Sequence, residues 1–509
     1  MVFLKSPLGS TSTSRLARNF APSFIKRKLD MHQHIKILFL LFAFSPCLGQ
    51  TYQLTVQNGY GSGQYAAGDT VHIWAAEYPI SEVFWRWTGQ VEHLLQWDAR
   101  EDDWHKRLVM PAKNVTVRAN TKTMPPNSDL VYEEIRGRDT LKRVFSYFPA
   151  KPKGVVWFFH GTGGEAYAWV NPYDNRQLVN RCIADTFAII ITECEESTKE
   201  KDLNNDGNFK RWDYTPDSVA NVDFANIRAI RDTFIRRGKI GISTPNIGVG
   251  FSAGGAMSLI MGWYSKWKVG VDYGTGGVPG AAQYSTAPAM ICPNRRDDHP
   301  DVGPESVNEA FVNQQLYRAR GVCSEVYVNE PGPLYPQRFR RKPGITAAQS
   351  QAIFNDLVDN NCLGPKRYLL KSLHQIEDLV AANPQKWPSL ATLGIQERLF
   401  VGDQIAELWT SHHFTPDFDG KALRFIQDAC GGGVTAAPEP IETSRNLRIW
   451  PNPATHQITL EGVNGLVRIF AVTGQLQMVA NGPTVDISVL APGLYYVQTA
   501  LGVGKLVRE

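Results

Sequence analysis

Residues 247–257 read Ile-Gly-Val-Gly-Phe-Ser-Ala-Gly-Gly-Ala-Met, and this run is the strongest indication of the fold. Its first three residues are typical of a short buried strand, and the residues after Gly254 have the composition of a helix. Between them, residues 250–254 match the G-x-S-x-G pattern, in which a serine projects from a sharp turn between a strand and a helix. The flanking glycines let the strand and the helix pass closely. The stretch therefore predicts that Ser252 is a nucleophile in an α/β fold.

A second glycine-rich loop, residues 160–164 (His-Gly-Thr-Gly-Gly), follows an apolar run that is predicted as a buried strand. Loops of this kind supply backbone N–H groups that bind a developing oxyanion. We expect donors around Thr162 and Gly163, and a further donor at the N–H of Ala253. His160 is expected to hold the loop in place.

The segment 124–430 resembles the polyhydroxybutyrate depolymerase and feruloyl esterase-like branch of the α/β-hydrolases. The similarity lies in residues 250–257 and 160–164 and in Arg-Trp-Asp at 211–213. It implies a mostly parallel sheet with helices on both faces. It also implies a serine hydrolase that cleaves carboxylic esters through a Ser-His-Asp triad and an acyl-enzyme intermediate, and that needs no cofactor.

The acid of the triad should follow the next strands after the serine. Residues 294–302 contain three aspartates, and the spacing seen in related esterases, counted back from Ser306, selects Asp298. The valine of that pattern falls one place late, so Asp297 and Asp301 remain alternatives.

The base should lie near the end of the same domain, before a terminal helix. Residues 411–418 read Ser-His-His-Phe-Thr-Pro-Asp-Phe and precede an amphipathic segment. The H-x-F pattern of the family selects His412 as the base, with His413 as the alternative. The long separation from the acid indicates an insertion at about 305–400, which we expect to form a cap over the site.

A calcium site is a further hypothesis. Residues 202–207 read Asp-Leu-Asn-Asn-Asp-Gly and match the start of an EF-hand loop, with oxygen ligands at Asp202, Asn204 and Asp206. Asp213 would stand at the last ligand position, where an EF-hand has glutamate. The alternative is a turn rich in Asn, Asp and Gly.

The N-terminal 50 residues are predicted as a leader and secretory signal peptide, with Met31 as the expected true start. Cleavage near Gly49 would leave six cysteines, which permit up to three disulfides in an exported protein. No later stretch is apolar for long enough to span a bilayer.

Residues 51–123 alternate as short strands and resemble the divergent InlB B-repeat module, on residues 110–117 and the earlier Gly-rich turn. The module is expected to be a spacer or, if Trp85 and Trp87 are exposed, a binding surface. After a Gly/Pro linker at 431–445, residues 446–509 resemble the C-terminal sorting domain of the Por (type IX) secretion system, a β-sandwich. That resemblance implies type IX export machinery as a partner and a secreted or cell-surface location, reached through the periplasm and the outer membrane.

A net charge of +4 over 509 residues, without a basic stripe, argues against a nucleic-acid partner. The sequence thus predicts a secreted serine esterase acting on a small or polymeric ester. A peptidase of the same fold and a surface- or glycan-binding protein on a hydrolase scaffold are the alternatives.

Overall fold

The computed structural model describes residues 50–94, 103–215, 217, 220–432, 447–463, 465–471, 476–499 and 502–509. The predicted leader and signal peptide, and nearly all of the predicted linker, lie outside these residues. Within these ranges, no helix has both the length and the hydropathy needed to cross a membrane.

The N-terminal module is a small pair of β-sheets. Its strands are β1 (Thr51–Gln57), β2 (Gly59–Tyr60), β3 (Gly63–Ala66), β4 (Thr70–Ala75), β5 (Glu82–Gly89), β6 (His105–Val109) and β7 (Val115–Thr123). One sheet has the order β3-β1-β7-β5 and the other β2-β4-β6. Trp87 is buried in the shared core, whereas Trp85 is 44% exposed. Only one of the two tryptophans proposed as a binding surface therefore faces solvent.

The central domain is built on one eight-stranded sheet. Its strands are β8 (Val131–Arg136), β9 (Leu141–Tyr147), β10 (Val155–Phe159), β11 (Ala188–Ile191), β12 (Asn246–Phe251), β13 (Val269–Tyr273), β14 (Ala289–Cys292) and β15 (Ser324–Val326). Their order is β15-β14-β13-β12-β10-β11-β9-β8. The strands from β11 to β15 pair in parallel, and β9 and β8 complete the sheet with antiparallel pairings.

The central domain contains ten α-helices in the described part of the chain. They are α1 (Tyr173–Ala184), α2 (Glu195–Lys199), α3 (Val222–Arg236), α4 (Ala253–Tyr264), α5 (Pro279–Tyr284), α6 (Ser306–Ala319), α7 (Ala347–Asp359), α8 (Leu373–Ala382), α9 (Ile395–Trp409) and α10 (Asp419–Gln427).

Both faces of the sheet are covered by helices, as the apolar strands require. Side chains alternate along a strand, so Trp157 and Phe159 of β10 pack with the core of α3 and α4, whereas Phe158 packs with that of α1 and α10. A mostly parallel, doubly covered sheet with Ser252 in the turn between β12 and α4 is the α/β-hydrolase fold.

The insertion at 305–400 is not a cap over Ser252, and this expectation is corrected. Helix α6 and strand β15 belong to the sheet layer, and α7 to α9 form a separate apolar core. That core lies beside the N-terminal module, where Tyr335 joins the module's core and the Arg341 guanidinium lies 3.9 Å from the Trp104 ring centroid. Of the described residues that line the cavity beside Ser252, only Glu309 comes from this insertion.

The C-terminal domain is a two-sheet β-sandwich. Its strands are β16 (Ile449–Trp450), β17 (Gln457–Leu460), β18 (Leu466–Ala471), β19 (Leu476–Asn481), β20 (Thr484–Asp486), β21 (Gly493–Thr499) and β22 (Gly502–Arg508). The sheets have the orders β16-β17-β20 and β19-β18-β21-β22, and they enclose an apolar core of their own.

One disulfide is present in the described residues, rather than the maximum of three. It joins Cys323, beside β15, to Cys430, after α10, with Cα atoms 6.1 Å apart. The other cysteines are buried free thiols, at positions Cys182, Cys194, Cys292 and Cys362. The disulfide therefore ties the last strand of the sheet to the end of the central domain.

Candidate active site

Ser252 lies at the sharp turn between β12 and α4, with φ 56° and ψ −122°. This conformation is strained for a residue with a side chain, and such strain is common at functional sites. A Cβ atom on Gly250 would lie 2.0 Å from the Gly254 carbonyl oxygen, and one on Gly254 would lie 2.1 Å from the Phe159 carbonyl oxygen. The two glycines of the motif are therefore required by close backbone contacts.

The side chain of His412 connects Ser252 to a carboxylate. Its Nε2 lies 2.8 Å from the Ser252 Oγ, and its Nδ1 lies 2.7 Å from Oδ2 of Asp297. The serine and the aspartate are buried. This is the geometry of a serine, a base that can take its proton, and an acid that fixes the ring of the base.

The preferred acid, Asp298, does not contact the imidazole ring, and this expectation is corrected in favour of Asp297. The Asp298 carboxylate instead accepts a hydrogen bond of 3.0 Å from the backbone N–H of His412. Asp301 lines the cavity, and its own backbone N–H donates to Nδ1 of His299. Adjacent residues in an irregular loop point in different directions, so the spacing of the motif could not separate them.

His413, the alternative base, lies away from the serine. Its Nε2 is 3.6 Å from Oδ1 of Asp403, and burial lowers its pKa to about 4. Its backbone carbonyl accepts a hydrogen bond of 3.1 Å from the Asn294 side chain. His413 therefore helps to fix the loop that carries His412.

Two further contacts join the loop of the acid to the loop of the base. The backbone N–H of Arg296 donates to the Thr410 carbonyl at 3.2 Å, and the Arg296 guanidinium lies 4.1 Å from the Trp409 ring centroid. Thr410 ends α9 in the left-handed conformation, with φ 66°. Helix α9 of the insertion thereby places His412 beside residues that are more than 100 positions earlier in the chain.

The loop 160–164 passes directly over the serine. A Cβ atom on Gly161 would lie 3.2 Å from the Ser252 Cβ. The Nδ1 of His160 donates to the Gly161 carbonyl, and its Nε2 accepts from the Cys194 N–H. Burial lowers the pKa of His160 to about 4, so the ring is neutral. His160 holds this loop, as expected from the sequence.

Two of the three residues expected to donate to the oxyanion lie at the cavity, and the third does not have a free N–H group. Thr162 and Ala253 line the cavity beside Ser252. Ala253 is the first residue of α4, so its N–H has no acceptor within its own helix. The N–H of Gly163, by contrast, donates to the carbonyls of Phe209 and Lys210, and this removes Gly163 from the expected donors.

The segment 211–214 holds both the loop 160–164 and the start of α4 in place. The Trp212 indole donates to the His160 carbonyl at 2.9 Å, and the Tyr214 hydroxyl donates to the Ala253 carbonyl at 2.6 Å. Sequence analysis used residues 211–213 only as a sign of family resemblance and missed the part that Tyr214 plays. A Trp and a Tyr two positions apart, in a loop with no strand signal, were the available clue.

The cavity at Ser252 has a volume of about 70 Å³. His299 lines it and lies over the ring of His412, with centroids 4.6 Å apart. Burial and the neighbouring His412 lower the pKa of His299. Sequence analysis also missed His299, because a lone histidine in a loop gives no pattern.

The loop of the calcium hypothesis is held together by bonds between its own side chains and backbone amides. The Asp202 carboxylate accepts from the backbone N–H groups of Asn205 and Gly207, and Asn204 and Asp206 bond to each other and to loop amides. Asp213 accepts instead from Thr215. In the part of the chain that is described, no three acidic, histidine or cysteine side chains come together as a metal site. The calcium site at residues 202–213 therefore stays a prediction.

No protein-family model matches the chain, and a comparison with curated proteins gives no match. Solved structures with partial similarity include dienelactone hydrolase from Anabaena variabilis, with 13% identity over 39% of this chain and 84% of that chain and a TM-score of 0.29. A ferulic acid esterase has 10% identity over 39% and 89%, with a TM-score of 0.30. The acylaminoacyl peptidase of Pyrococcus horikoshii has 9% identity over 55% and 50%, with a TM-score of 0.29. At these scores the similarity carries no weight, and the fold assignment rests on the sheet and on the turn at Ser252.

Proposed function

We propose that this protein is a serine hydrolase that cleaves carboxylic esters through an acyl-enzyme intermediate. The observation that carries the proposal is the continuous chain of short contacts from Ser252 through His412 to Asp297. In the first step, Nε2 of His412 takes the proton of the Ser252 hydroxyl while Oγ attacks the ester carbonyl carbon. Asp297 stabilises the imidazolium that forms.

The tetrahedral intermediate carries its negative charge on the former carbonyl oxygen. The N–H groups of Ala253 and Thr162, two residues that line the cavity, would bind this oxygen, and the N-terminal end of α4 would favour the charge. The alcohol then leaves with the proton from His412. A water molecule, deprotonated by His412, attacks the acyl group and releases the acid and the free serine.

An ester and an anilide with the same acyl group but different leaving groups distinguish the esterase hypothesis from the peptidase hypothesis. We expect the full chain to hydrolyse 4-nitrophenyl butyrate, and we expect its kcat/KM ratio to that for butyryl-4-nitroanilide to exceed the measurable range because no anilide turnover is detected. The reason is that the corrected position of the insertion removes the main argument for a peptidase, which was a cap over the site. Initial rates of 4-nitrophenol and 4-nitroaniline release measure the ratio.

Measurable enzymatic release of 4-nitroaniline would instead favour a peptidase, because an anilide is much less reactive than a 4-nitrophenyl ester. No turnover of either compound by folded protein would favour the third hypothesis, a binding role for the N-terminal module with its exposed Trp85.

A further inference from the structure

Arg211 places a positive charge at the candidate active site, and its side chain forms a hydrogen bond with that of Tyr214. Its side chain lines the same cavity as Ser252, Thr162 and Ala253. Its Nε and Nη1 atoms are shielded from solvent and have no hydrogen-bond partner among the described residues. A guanidinium stays protonated at every practical pH, and a buried donor without an acceptor is costly. These two donors are therefore available to an acceptor in the cavity.

Hydrogen bonds hold the backbone around Arg211 in place. A loop movement that took the side chain out of the cavity would break them. The Arg211 N–H donates to the Glu196 carboxylate at 2.9 Å. The next residues, Trp212 and Tyr214, bond to the carbonyls of His160 and Ala253. The guanidinium itself lies beside the Tyr214 ring, with Cζ 5.9 Å from the centroid. These contacts are those of a recognition residue set in a rigid frame.

The neighbouring groups leave this charge without a carboxylate partner. The cavity has two carboxylates: Glu309 pairs with Arg468 at 3.3 Å, and Asp301 is exposed; neither forms an ion pair with Arg211 among the described residues. His299 adds a second donor, because its Nδ1 accepts from the Asp301 N–H and its proton must therefore reside on Nε2. A planar guanidinium binds a carboxylate through two parallel hydrogen bonds.

We propose that Arg211 recognises a carboxylate on the substrate, so that the favoured substrates are carboxylic esters that carry a second, free carboxyl group. This inference rests on the proposed esterase function and names the substrate class of the same site. Arg211 acts on affinity for the substrate and takes no part in the proton transfers.

The test compares esters with and without the carboxylate. The monoesters of 4-nitrophenol with glutaric and adipic acid are compared with 4-nitrophenyl butyrate and hexanoate, after subtraction of uncatalysed hydrolysis. We expect kcat/KM about 10- to 100-fold higher for a carboxylated ester, the range of one charge-assisted hydrogen-bond pair. Arg211→Met should abolish that preference, mainly through KM, with a much larger loss on the carboxylated esters than on the neutral ones. Arg211→Lys should restore part of it.

Arg231→Met is the matched control, because Arg231 also has an unpartnered Nε but lines a cavity on α3 that does not include Ser252. Equal kcat/KM for both ester classes in the wild type, or an equal loss on both in Arg211→Met, would overturn the proposal.

Calorimetric binding of glutarate and adipate to Ser252→Ala, with and without Arg211→Met, tests the proposal without turnover. Binding that needs Arg211 supports the proposal even if no ester is hydrolysed.

A second observation concerns the outer face of the C-terminal sheet. Along β18, Val467 and Ile469 point into the core of the C-terminal domain, so Arg468 and Phe470 point to the opposite face. Tyr496 of β21 pairs with Phe470 in the ladder and shares this face. We call Arg468, Phe470 and Tyr496 the docking face.

The docking face lies against the central domain at the cavity of Ser252. Phe470 is only 5% exposed and lines this cavity. Arg468 forms an ion pair of 3.3 Å with Glu309, and both side chains are 15% exposed. A Cβ on Gly280 would lie 3.2 Å from Cε2 of Tyr496. The C-terminal domain is therefore part of the wall around the nucleophile.

We infer that the docking face narrows the entrance to Ser252 and limits the size of the ester that can enter. The cavity of about 70 Å³ is small beside the roughly 300–1,000 Å³ of typical ligand pockets. Release of the docking face from Glu309 and the surface of α5 would remove one wall and admit a longer chain.

Phe470→Ala in the full chain tests this inference. We expect kcat/KM for 4-nitrophenyl decanoate to rise at least about threefold relative to that for the acetate, with Arg468→Gln acting in the same direction. Val479→Ala, at a site on the same domain that is 51% exposed, is the control. Hydrogen exchange over residues 276–284 should become faster in both docking-face variants.

An unchanged decanoate-to-acetate ratio together with unchanged exchange would overturn the inference. Faster exchange with no ester turnover at all would count against the esterase function and leave the docking itself supported.

Discussion

Replacement of Ser252 by alanine is expected to lower kcat for 4-nitrophenyl butyrate by about 10⁴- to 10⁶-fold, which is the loss found when a serine nucleophile is removed. The Ser252 Oγ is the atom 2.8 Å from Nε2 of His412, and no covalent intermediate can form without it. The oxyanion donors and the cavity remain, so a small rate above that of water should persist. Steady-state rates with purified full-length protein measure the effect.

Ser265→Ala is the control, because Ser265 is an exposed residue just after the same helix. It should retain full activity. A Ser252→Ala variant with the wild-type unfolding temperature and more than about a tenth of the activity would contradict the proposed nucleophile.

Replacement of Asp297 by asparagine is expected to lower kcat by about 10⁴-fold without loss of the fold. The Asp297 carboxylate accepts from Nδ1 of His412, and an amide at that position favours the wrong tautomer of the ring. The proton of Nδ1 would then be displaced to Nε2, where the base must be free to accept the serine proton. The kinetics of ester hydrolysis and a thermal unfolding curve measure the two effects.

Asp298→Asn is the matched comparison at the neighbouring position. Its side-chain oxygen can still accept the His412 backbone N–H, so we expect a loss of less than about tenfold. A larger loss for Asp298→Asn than for Asp297→Asn would return the acid to the residue that the sequence motif selected.

The sequence predicted the parts of the site that depend on local backbone geometry. The backbone around Gly250 and Gly254 has no space for a side chain, so glycine is required at both positions. The pattern can therefore be recognised in the sequence alone. The buried strands are continuous apolar runs, which predicted the α/β-hydrolase sheet around them. His160 was also predicted as a structural residue, since a histidine at the end of a buried strand has a limited set of partners.

The parts that depend on long-range packing could not be predicted. The choice between Asp297 and Asp298 is set by the loop that Thr410 and Arg296 hold together across the chain. The position of the insertion depends on its contacts with the N-terminal module. The predictions on secretion concern mainly residues outside the described ranges, or a resemblance that no comparison tests, and stay predictions.

The most direct test of the account is the site at which a fluorophosphonate reacts with the protein. We expect intact-mass spectrometry of the wild-type chain to show one adduct, and peptide mapping to place it on Ser252. Prior replacement of Ser252 or His412 by alanine should abolish or strongly slow the reaction. Labelling at another residue, or no labelling of folded protein, would contradict the assignment of Ser252 as an activated nucleophile.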